Sequence, residues 1–208
     1  TYLIARKLYK KREQGQAAHW IGLLSVGVLL TNYMFVHFSR FGTTDIALTL
    51  FSYLAIYAYL CVCEERRWAW CGVWSAIAAA VMIKGVAGLA IAIALCITLL
   101  LTNRWRQAIC CIPFWLGLGI AGLMVLPWHV AMFTIHGQAF VDQYLLYHVV
   151  ERSTGTGLEG NEGGPFFYVA SLGEHFFPWV YLLPLAMFQQ MRNLWRRGES
   201  IGAILLVL

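Results

Sequence analysis

Positive charges in this chain occur in short clusters that alternate with long apolar stretches, and this pattern limits the fold more than any other feature. Twelve of the fifteen Lys and Arg residues form four clusters: Arg6/Lys7/Lys10/Lys11/Arg12, Arg66/Arg67, Arg104/Arg106 and Arg192/Arg196/Arg197. In a chain that crosses a bilayer repeatedly, clustered cations stay in the cytoplasm. The solitary cations Arg40, Lys84 and Arg152 lie between the clusters. The pattern therefore places these three on the non-cytoplasmic side.

The composition supports a membrane protein. Apolar residues make up 60% of the chain, charged residues 12%, and the mean hydropathy is +0.66, values far from those of a soluble domain. The apolar run 86–101 does not alternate as a barrel strand would. We therefore predict an all-α, polytopic transmembrane helix bundle. The net charge of +5 comes from the clusters, where it can meet membrane lipid, and we expect no nucleic-acid partner.

The apolar stretches predict one transmembrane domain. The expected spans are 19–38, 46–63, 68–83, 86–102, 107–130 and 166–188, with a partial span at 201–208. An external segment, 132–165, is expected to begin with an amphipathic juxtamembrane helix. Because the chain begins and ends within apparent helices, we expect an internal piece of a longer protein. The spacing of Gly117, Gly119 and Gly122 is typical of close helix packing in lipid.

Lys84 is the cation that most requires an explanation. The spans on either side of it are shorter than the roughly 20 residues that cross a full hydrocarbon core, so Lys84 is expected at the floor of a depression. A lysine within the membrane costs about 2–3 kcal/mol unless it is paired or hydrated. It either binds a ligand or forms an ion pair with an acid such as Asp45. Asp45 itself is either a helix-dipole partner or, with Arg40, part of a site.

Further candidates lie in the second half of the chain. Tyr144, His148 and Arg152 have the spacing i, i+4, i+8 and would share one face of the external helix. Such a face suits an anionic headgroup, although a solvated polar stripe has the same pattern. Glu174 and His175 are adjacent and would point in different directions. A divalent metal held by His148 with one of them is a weaker alternative.

Several short motifs occur in a characteristic order. They are Arg40-(4)-Asp45, Met-Ile-Lys84-Gly85-Val-Ala-Gly88-Leu, Leu-Pro127-Trp128, Phe140-(3)-Tyr144-(3)-His148-(3)-Arg152, Pro165-Phe-Phe-Tyr168 and Phe-Pro178-Trp179. As a set, over residues 1–190, they resemble the GT-C membrane glycosyltransferases of the aminoarabinose transferase and protein O-mannosyltransferase type. Val86 and His129 depart from the family, which usually has Pro and Tyr at these positions.

The resemblance implies a function. It implies a sugar donor carried on a polyprenyl phosphate, used on the non-cytoplasmic face, with a lipid, glycan or protein as acceptor. It further implies that Lys84 and Arg152 contact the donor phosphate, that Asp45 helps to organise the cavity, and that His148 lies near the reaction centre, where some members bind a metal. The catalytic base of such enzymes would lie upstream of Thr1. A bacterial inner-membrane location is expected.

Two other classes of protein share part of the pattern. A transporter or flippase of a lipid-linked substrate would also place cations in a membrane cavity, although the chain lacks the two related halves that are common in transporters. A structural membrane subunit would not explain the cost of Lys84. The sequence alone therefore favours the transferase and keeps the transporter or flippase as the alternative.

Overall fold

The computed structural model describes residues 1–10, 15–144, 173 and 175–197. Within these residues there is no β-strand, which confirms the all-α prediction. The helices are α1 (Tyr2–Lys10), α2 (Gly15–Leu30), α3 (Tyr33–Arg40), α4 (Thr44–Val62), α5 (Ala69–Lys84), α6 (Val86–Leu101), α7 (Trp105–Ile109), α8 (Ile112–His136), α9 (Gln138–Phe140) and α10 (Leu183–Arg197). A 3-10 turn at Trp179–Leu182 precedes α10.

Helix α5 is the centre of the bundle. It packs against α4, α6 and α8, and seven of its residues are buried. Six of these are small or β-branched: Val73, Ala76, Ile77, Ala78, Ala80 and Val81. Small residues allow helix backbones to approach closely, which matters in lipid because apolar burial provides no drive for association there. The packing therefore holds α5 between its three neighbours.

Several helices have the length and composition of membrane spans. Helices α4 and α8 are each long and apolar enough to cross a bilayer, and α2 with α3 passes the same test as a bent pair. Helices α5 and α6 have 16 residues each, which corresponds to about 24 Å of helix. A hydrocarbon core is about 30 Å thick. The turn between α5 and α6 is therefore expected to lie below the membrane surface.

The first apolar stretch, 19–38, is not one straight helix. It is divided between α2 and α3, whose axes differ by 61°. Asn32 is buried at the break and accepts a hydrogen bond from the Phe35 amide at 2.9 Å, which caps α3. The Thr31 hydroxyl donates to the Gly27 carbonyl at 2.7 Å. Because Thr and Asn side chains compete for backbone hydrogen bonds, they favour a helix end at this point.

The predicted span 107–130 does not coincide with one helix. Helix α8 contains Pro127 and continues for nine more residues to His136. Proline removes one backbone hydrogen bond, and membrane helices tolerate this loss. The same stretch was expected to begin at 107, but α7 is a separate short helix and α8 starts after Cys111.

Among the three spaced glycines of α8, the structure confirms close packing for Gly117. A Cβ at Gly117 would lie 2.8 Å from the Trp70 carbonyl oxygen and 3.0 Å from the Cys71 Cα. A Cβ at Gly119 would have no other atom within 4 Å, and one at Gly122 would meet only Leu126 of the same helix. The α5–α8 crossing therefore depends on Gly117.

This difference between neighbours gives a matched pair of variants. We expect Gly117→Ala to destabilise the bundle by about 1–3 kcal/mol, the usual cost of overpacking, and Gly119→Ala to cause no loss. The midpoint of thermal unfolding of the full-length protein in detergent would measure both. Equal midpoints for the two variants would contradict the contact between α5 and α8 at Gly117.

Candidate functional site

The antiparallel packing of α4 on α5 brings Asp45 and Lys84 together. Asp45 lies in the first turn of α4, and Lys84 is the last residue of α5. Their side chains form an ion pair between Lys84 Nζ and Asp45 Oδ1. An acid at a helix N-terminus and a cation at a C-terminus each complement the helix dipole. The ion pair that the sequence left open as an alternative for Lys84 therefore forms.

The Asp45–Lys84 pair is accessible rather than sealed. The side chains of Lys84 and Asp45 are 40% and 44% exposed. An ion pair exposed to this extent contributes only about 0–1 kcal/mol to stability. An anion that enters beside Lys84 could therefore replace Asp45 as its partner at small cost. The pair accounts for Lys84 without excluding a ligand.

A cavity of about 540 Å³, here called the Lys84 cavity, adjoins the pair. It is bordered by the start of α4, the end of α5, the turn into α6, the part of α8 around Trp128, and Tyr144. Its lining residues are Thr44, Val81, Met82, Ile83, Lys84, Gly85, Val86, Ala87, Trp128, His129 and Tyr144. The volume and the mixture of one cation with apolar and aromatic walls are typical of a small-molecule site.

Gly85 and Tyr144 form the tightest contact of the cavity wall. Gly85 has φ +55, and a Cβ there would lie 2.7 Å from the Tyr144 hydroxyl oxygen. The positive φ favours glycine, and a Cβ would also force the Tyr144 side chain to move. Burial raises the pKa of the Tyr144 phenol, so the hydroxyl remains protonated at neutral pH. The Lys84-Gly85 turn therefore brings the backbone against a neutral hydroxyl donor.

Aromatic rings hold Tyr144 in place. Its ring stacks on Phe140 with centroids 5.0 Å apart, and its edge meets Trp128 at 5.9 Å and His129 at 5.6 Å. His129 Nδ1 lies 2.8 Å from the Val125 carbonyl oxygen, one turn earlier in α8. Because α8 continues through Pro127, both Trp128 and His129 belong to a regular helix. This helix gives the cavity one firm aromatic wall.

A second, smaller cavity lies on the other side of Asp45. Its volume is about 340 Å³, and it is lined by Asn32, Met34, Phe35, Phe38, Asp45, Ile46 and Thr49. Four of these residues belong to α3 or to its N-cap: Asn32, Met34, Phe35 and Phe38. The break between α2 and α3 therefore helps to form this cavity. Asp45 contributes to this cavity and is paired to Lys84, which lines the first.

Other predicted site residues are placed elsewhere or not described. Arg40 is exposed at the end of α3 and forms no ion pair with any residue the structure describes. The His175 ring lies 6.4 Å from the Tyr33 ring. Nearby, Trp179 Nε1 donates to the Thr31 hydroxyl at 2.9 Å. The positions His148, Arg152 and Glu174, and most of the predicted juxtamembrane helix, lie outside the described residues.

The described residues give no support to a metal centre. In the ranges that the structure covers, no group of three His, Cys, Asp or Glu side chains is arranged to hold a metal ion. Asp45 is paired with a lysine rather than grouped with other ligands. Transition-metal sites in proteins usually have three or four such ligands. The metal alternative at His148 lies outside these residues and stays a prediction.

Sequence reasoning missed part of the Lys84 cavity. His129 was noted only as a departure from the family, but it lines the cavity next to Trp128. Thr44 was not among the candidates, and it too lines the cavity. The Pro-Trp motif before His129 was a usable signal, because the resemblance already grouped it with the Lys-Gly motif. No comparable signal identified Thr44.

Comparison with known proteins identifies the family. The family model described as dolichyl-phosphate-mannose-protein mannosyltransferase matches residues 1–130. The chain belongs to this family. The match includes Asp45, Lys84 and Trp128, and it agrees with the resemblance found in the sequence motifs. No curated protein and no solved structure gave a match.

Family membership defines the general activity. Members of the dolichyl-phosphate-mannose-protein mannosyltransferase family are membrane glycosyltransferases of the GT-C type, so this chain belongs to a glycosyltransferase. Together with the apolar helices, the family also makes it an integral membrane protein. The Lys84 cavity is the candidate for its reaction site, because it lies largely within the matched region and contains a cation, an acid next to it and an aromatic wall.

Proposed function

We propose that the protein transfers a sugar from a polyprenyl-phosphate donor to an acceptor on the non-cytoplasmic face of a membrane, expected to be the bacterial inner membrane. The observation that carries this proposal is the Lys84 ammonium at the wall of a cavity of about 540 Å³. At the opposite end of the bundle, Lys7 of the first cation cluster pairs with Glu64 at 2.6 Å. Among the described residues, the solitary Lys84 and the clustered Lys7 therefore lie at opposite ends of the bundle, an arrangement that supports the proposed orientation under the positive-inside rule.

The reaction proposed is an inverting displacement. The acceptor hydroxyl oxygen forms a bond to the anomeric carbon, the bond from that carbon to the phosphate oxygen breaks, and a general base takes the hydroxyl proton. Negative charge develops on the departing polyprenyl phosphate. Lys84 and Arg152 would stabilise that charge as fixed cations. Asp45 would hold Lys84 in position before the donor arrives.

The aromatic wall supports the same role for Lys84. Trp128 and Tyr144 line the cavity beside the ammonium and would exclude water once the donor is bound. Charge interactions are stronger where water is excluded. The neutral Tyr144 hydroxyl offers a further hydrogen-bond donor to the sugar or the phosphate. A transporter or flippase could use a similar cavity, but the family match favours a transferase over it.

The test is the loss of transfer when either cation is removed. Lys84→Met and Arg152→Met, each made in the full-length protein and assayed with lipid-linked sugar, are expected to lower kcat by about a hundredfold, the usual effect of removing one charge-stabilising group. Arg66→Met, which removes a cation from the opposite end, is the control and should retain activity. Wild-type turnover in both Lys84→Met and Arg152→Met would contradict the proposal. Movement of the intact lipid-linked sugar across the bilayer without transfer would indicate the transporter or flippase.

A further inference from the structure

A polar cavity lies at the cation-rich end of the bundle, far from the Lys84 cavity. Its volume is about 430 Å³, and it lies between the α4–α5 turn and the α6–α7 turn. Glu65, Arg67, Arg104 and Gln107 contribute its polar side chains. Buried Tyr59, Trp70 and Ala108 form its inner wall. The proposed sugar transfer uses none of these residues.

The two arginines of this cavity have no ion-pair partner in the part of the chain that the structure describes. Glu65 lines the same cavity, so the three charged side chains carry one net positive charge. That charge matches a phosphodiester, which carries one negative charge. Arginine is also the side chain best suited to bind phosphate oxygens in pairs.

An independent observation also indicates a ligand. Tyr59 is only 7% exposed, and its buried hydroxyl has no hydrogen-bond partner among the described residues. Cys63 and Thr102 lie near it without meeting hydrogen-bond geometry. A buried polar atom without a partner is uncommon and requires an explanation. A phosphate oxygen in the cavity would provide the missing acceptor.

The surroundings of the cavity indicate the source of the phosphate. Trp68, next to Arg67, is 70% exposed, and Ile109, near Arg104, is 42% exposed. Exposed tryptophan beside arginine is typical of the level where lipid headgroups meet the hydrocarbon. Basic pockets between helices at the cytoplasmic surface bind anionic lipid headgroups. A soluble phosphate would gain nothing from these apolar neighbours.

We infer that this cavity binds the phosphodiester headgroup of an anionic phospholipid of the cytoplasmic leaflet. Arg67 and Arg104, from two different helix connections, bind the phosphate, and Tyr59 donates a hydrogen bond to it. The bound lipid links the α4–α5 turn to the α6–α7 turn. The acyl chains lie along the apolar surfaces of the neighbouring helices.

The chain offers a matched control for the test. Arg66 and Arg106 belong to the same two clusters as Arg67 and Arg104, but neither lines the cavity, and Arg106 lies over the Trp105 ring at 5.1 Å. Native mass spectrometry of the full-length protein would measure the binding of phosphatidylglycerol and of phosphatidylcholine. The wild type is expected to bind phosphatidylglycerol about tenfold more tightly, because the net positive charge of the cavity repels the choline cation that phosphatidylcholine carries next to its phosphate. Arg67→Gln with Arg104→Gln should abolish this preference, and Arg66→Gln with Arg106→Gln should keep it.

Two outcomes would overturn the inference. Equal losses in the two double variants would mean that the clusters attract lipid only through their summed charge. Displacement of the lipid by an equal concentration of inorganic phosphate would mean that the site takes a soluble anion. Tyr59→Phe, which keeps the ring in the core, should weaken phosphatidylglycerol binding about threefold, and an unchanged affinity would remove Tyr59 from the site.

Discussion

Replacing Gly88 by alanine is expected to destabilise the bundle by about 3 kcal/mol, at the upper end of the usual cost of overpacking. Gly88 lies in the first turn of α6, directly after the Lys84-Gly85 turn. A Cβ at this position would lie 2.4 Å from the Val81 amide nitrogen and 2.5 Å from the Ala80 carbonyl carbon. Both are backbone atoms of α5, so no rotamer change relieves the clash. The two helices would have to separate at the end that carries Lys84.

The same helix α5 offers a control for this prediction. A Cβ at Gly72 would meet only the Ala58 Cβ at 3.5 Å, which is an ordinary contact, and alanine is favoured over glycine in a helix by about 1 kcal/mol. Gly72→Ala should therefore be neutral or slightly stabilising. The measurement is the midpoint of thermal unfolding of each full-length variant in detergent. The fraction of protein that stays monodisperse after heating is a second measurement. A Gly88→Ala midpoint as high as that of Gly72→Ala would refute the close approach of α5 and α6.

The sequence predicted the parts of the fold that depend on hydropathy and on single turns. Helices α4, α5 and α6 begin and end within two residues of the expected positions, because their ends coincide with charged or glycine residues. The alternative that Lys84 pairs with Asp45 is also confirmed. This pairing follows from the topology alone. The end of one helix and the start of its antiparallel neighbour lie at the same end of the bundle, so a cation and an acid at these positions come close together.

Features that depend on tertiary contacts were not predictable in the same way. The 61° bend between α2 and α3 depends on Asn32. This one polar residue changes the mean hydropathy of the surrounding apolar stretch very little. Helix α8 continues through Pro127, and hydropathy cannot distinguish a proline that kinks a helix from one that ends it. His129 was not recognised as a cavity residue from the sequence. Its place in the cavity follows from the packing of α8 and the rings beside it.

A charge swap between Asp45 and Lys84 separates the structural role of the pair from its role in transfer. In the full-length protein, Asp45→Lys alone places two ammonium groups side by side, and Lys84→Asp alone places two carboxylates together. Both single variants should lose stability and transfer. The double variant restores an ion pair, although the reversed helix-dipole interactions cost about 0.3–1 kcal/mol each. Its thermal midpoint should return close to that of the wild type.

Transfer should not return with the fold. In the swapped variant the cation projects from the start of α4, which also borders the smaller cavity, and a carboxylate takes the position of Lys84 in the Lys84 cavity. A carboxylate there repels the charge that develops on the departing phosphate, so turnover is expected to stay below about 1% of wild type. The measurement is sugar transfer per folded protein from a lipid-linked donor. If turnover recovers together with stability, Lys84 serves only to pair with Asp45, because in that case the position of the cation makes no difference to the reaction.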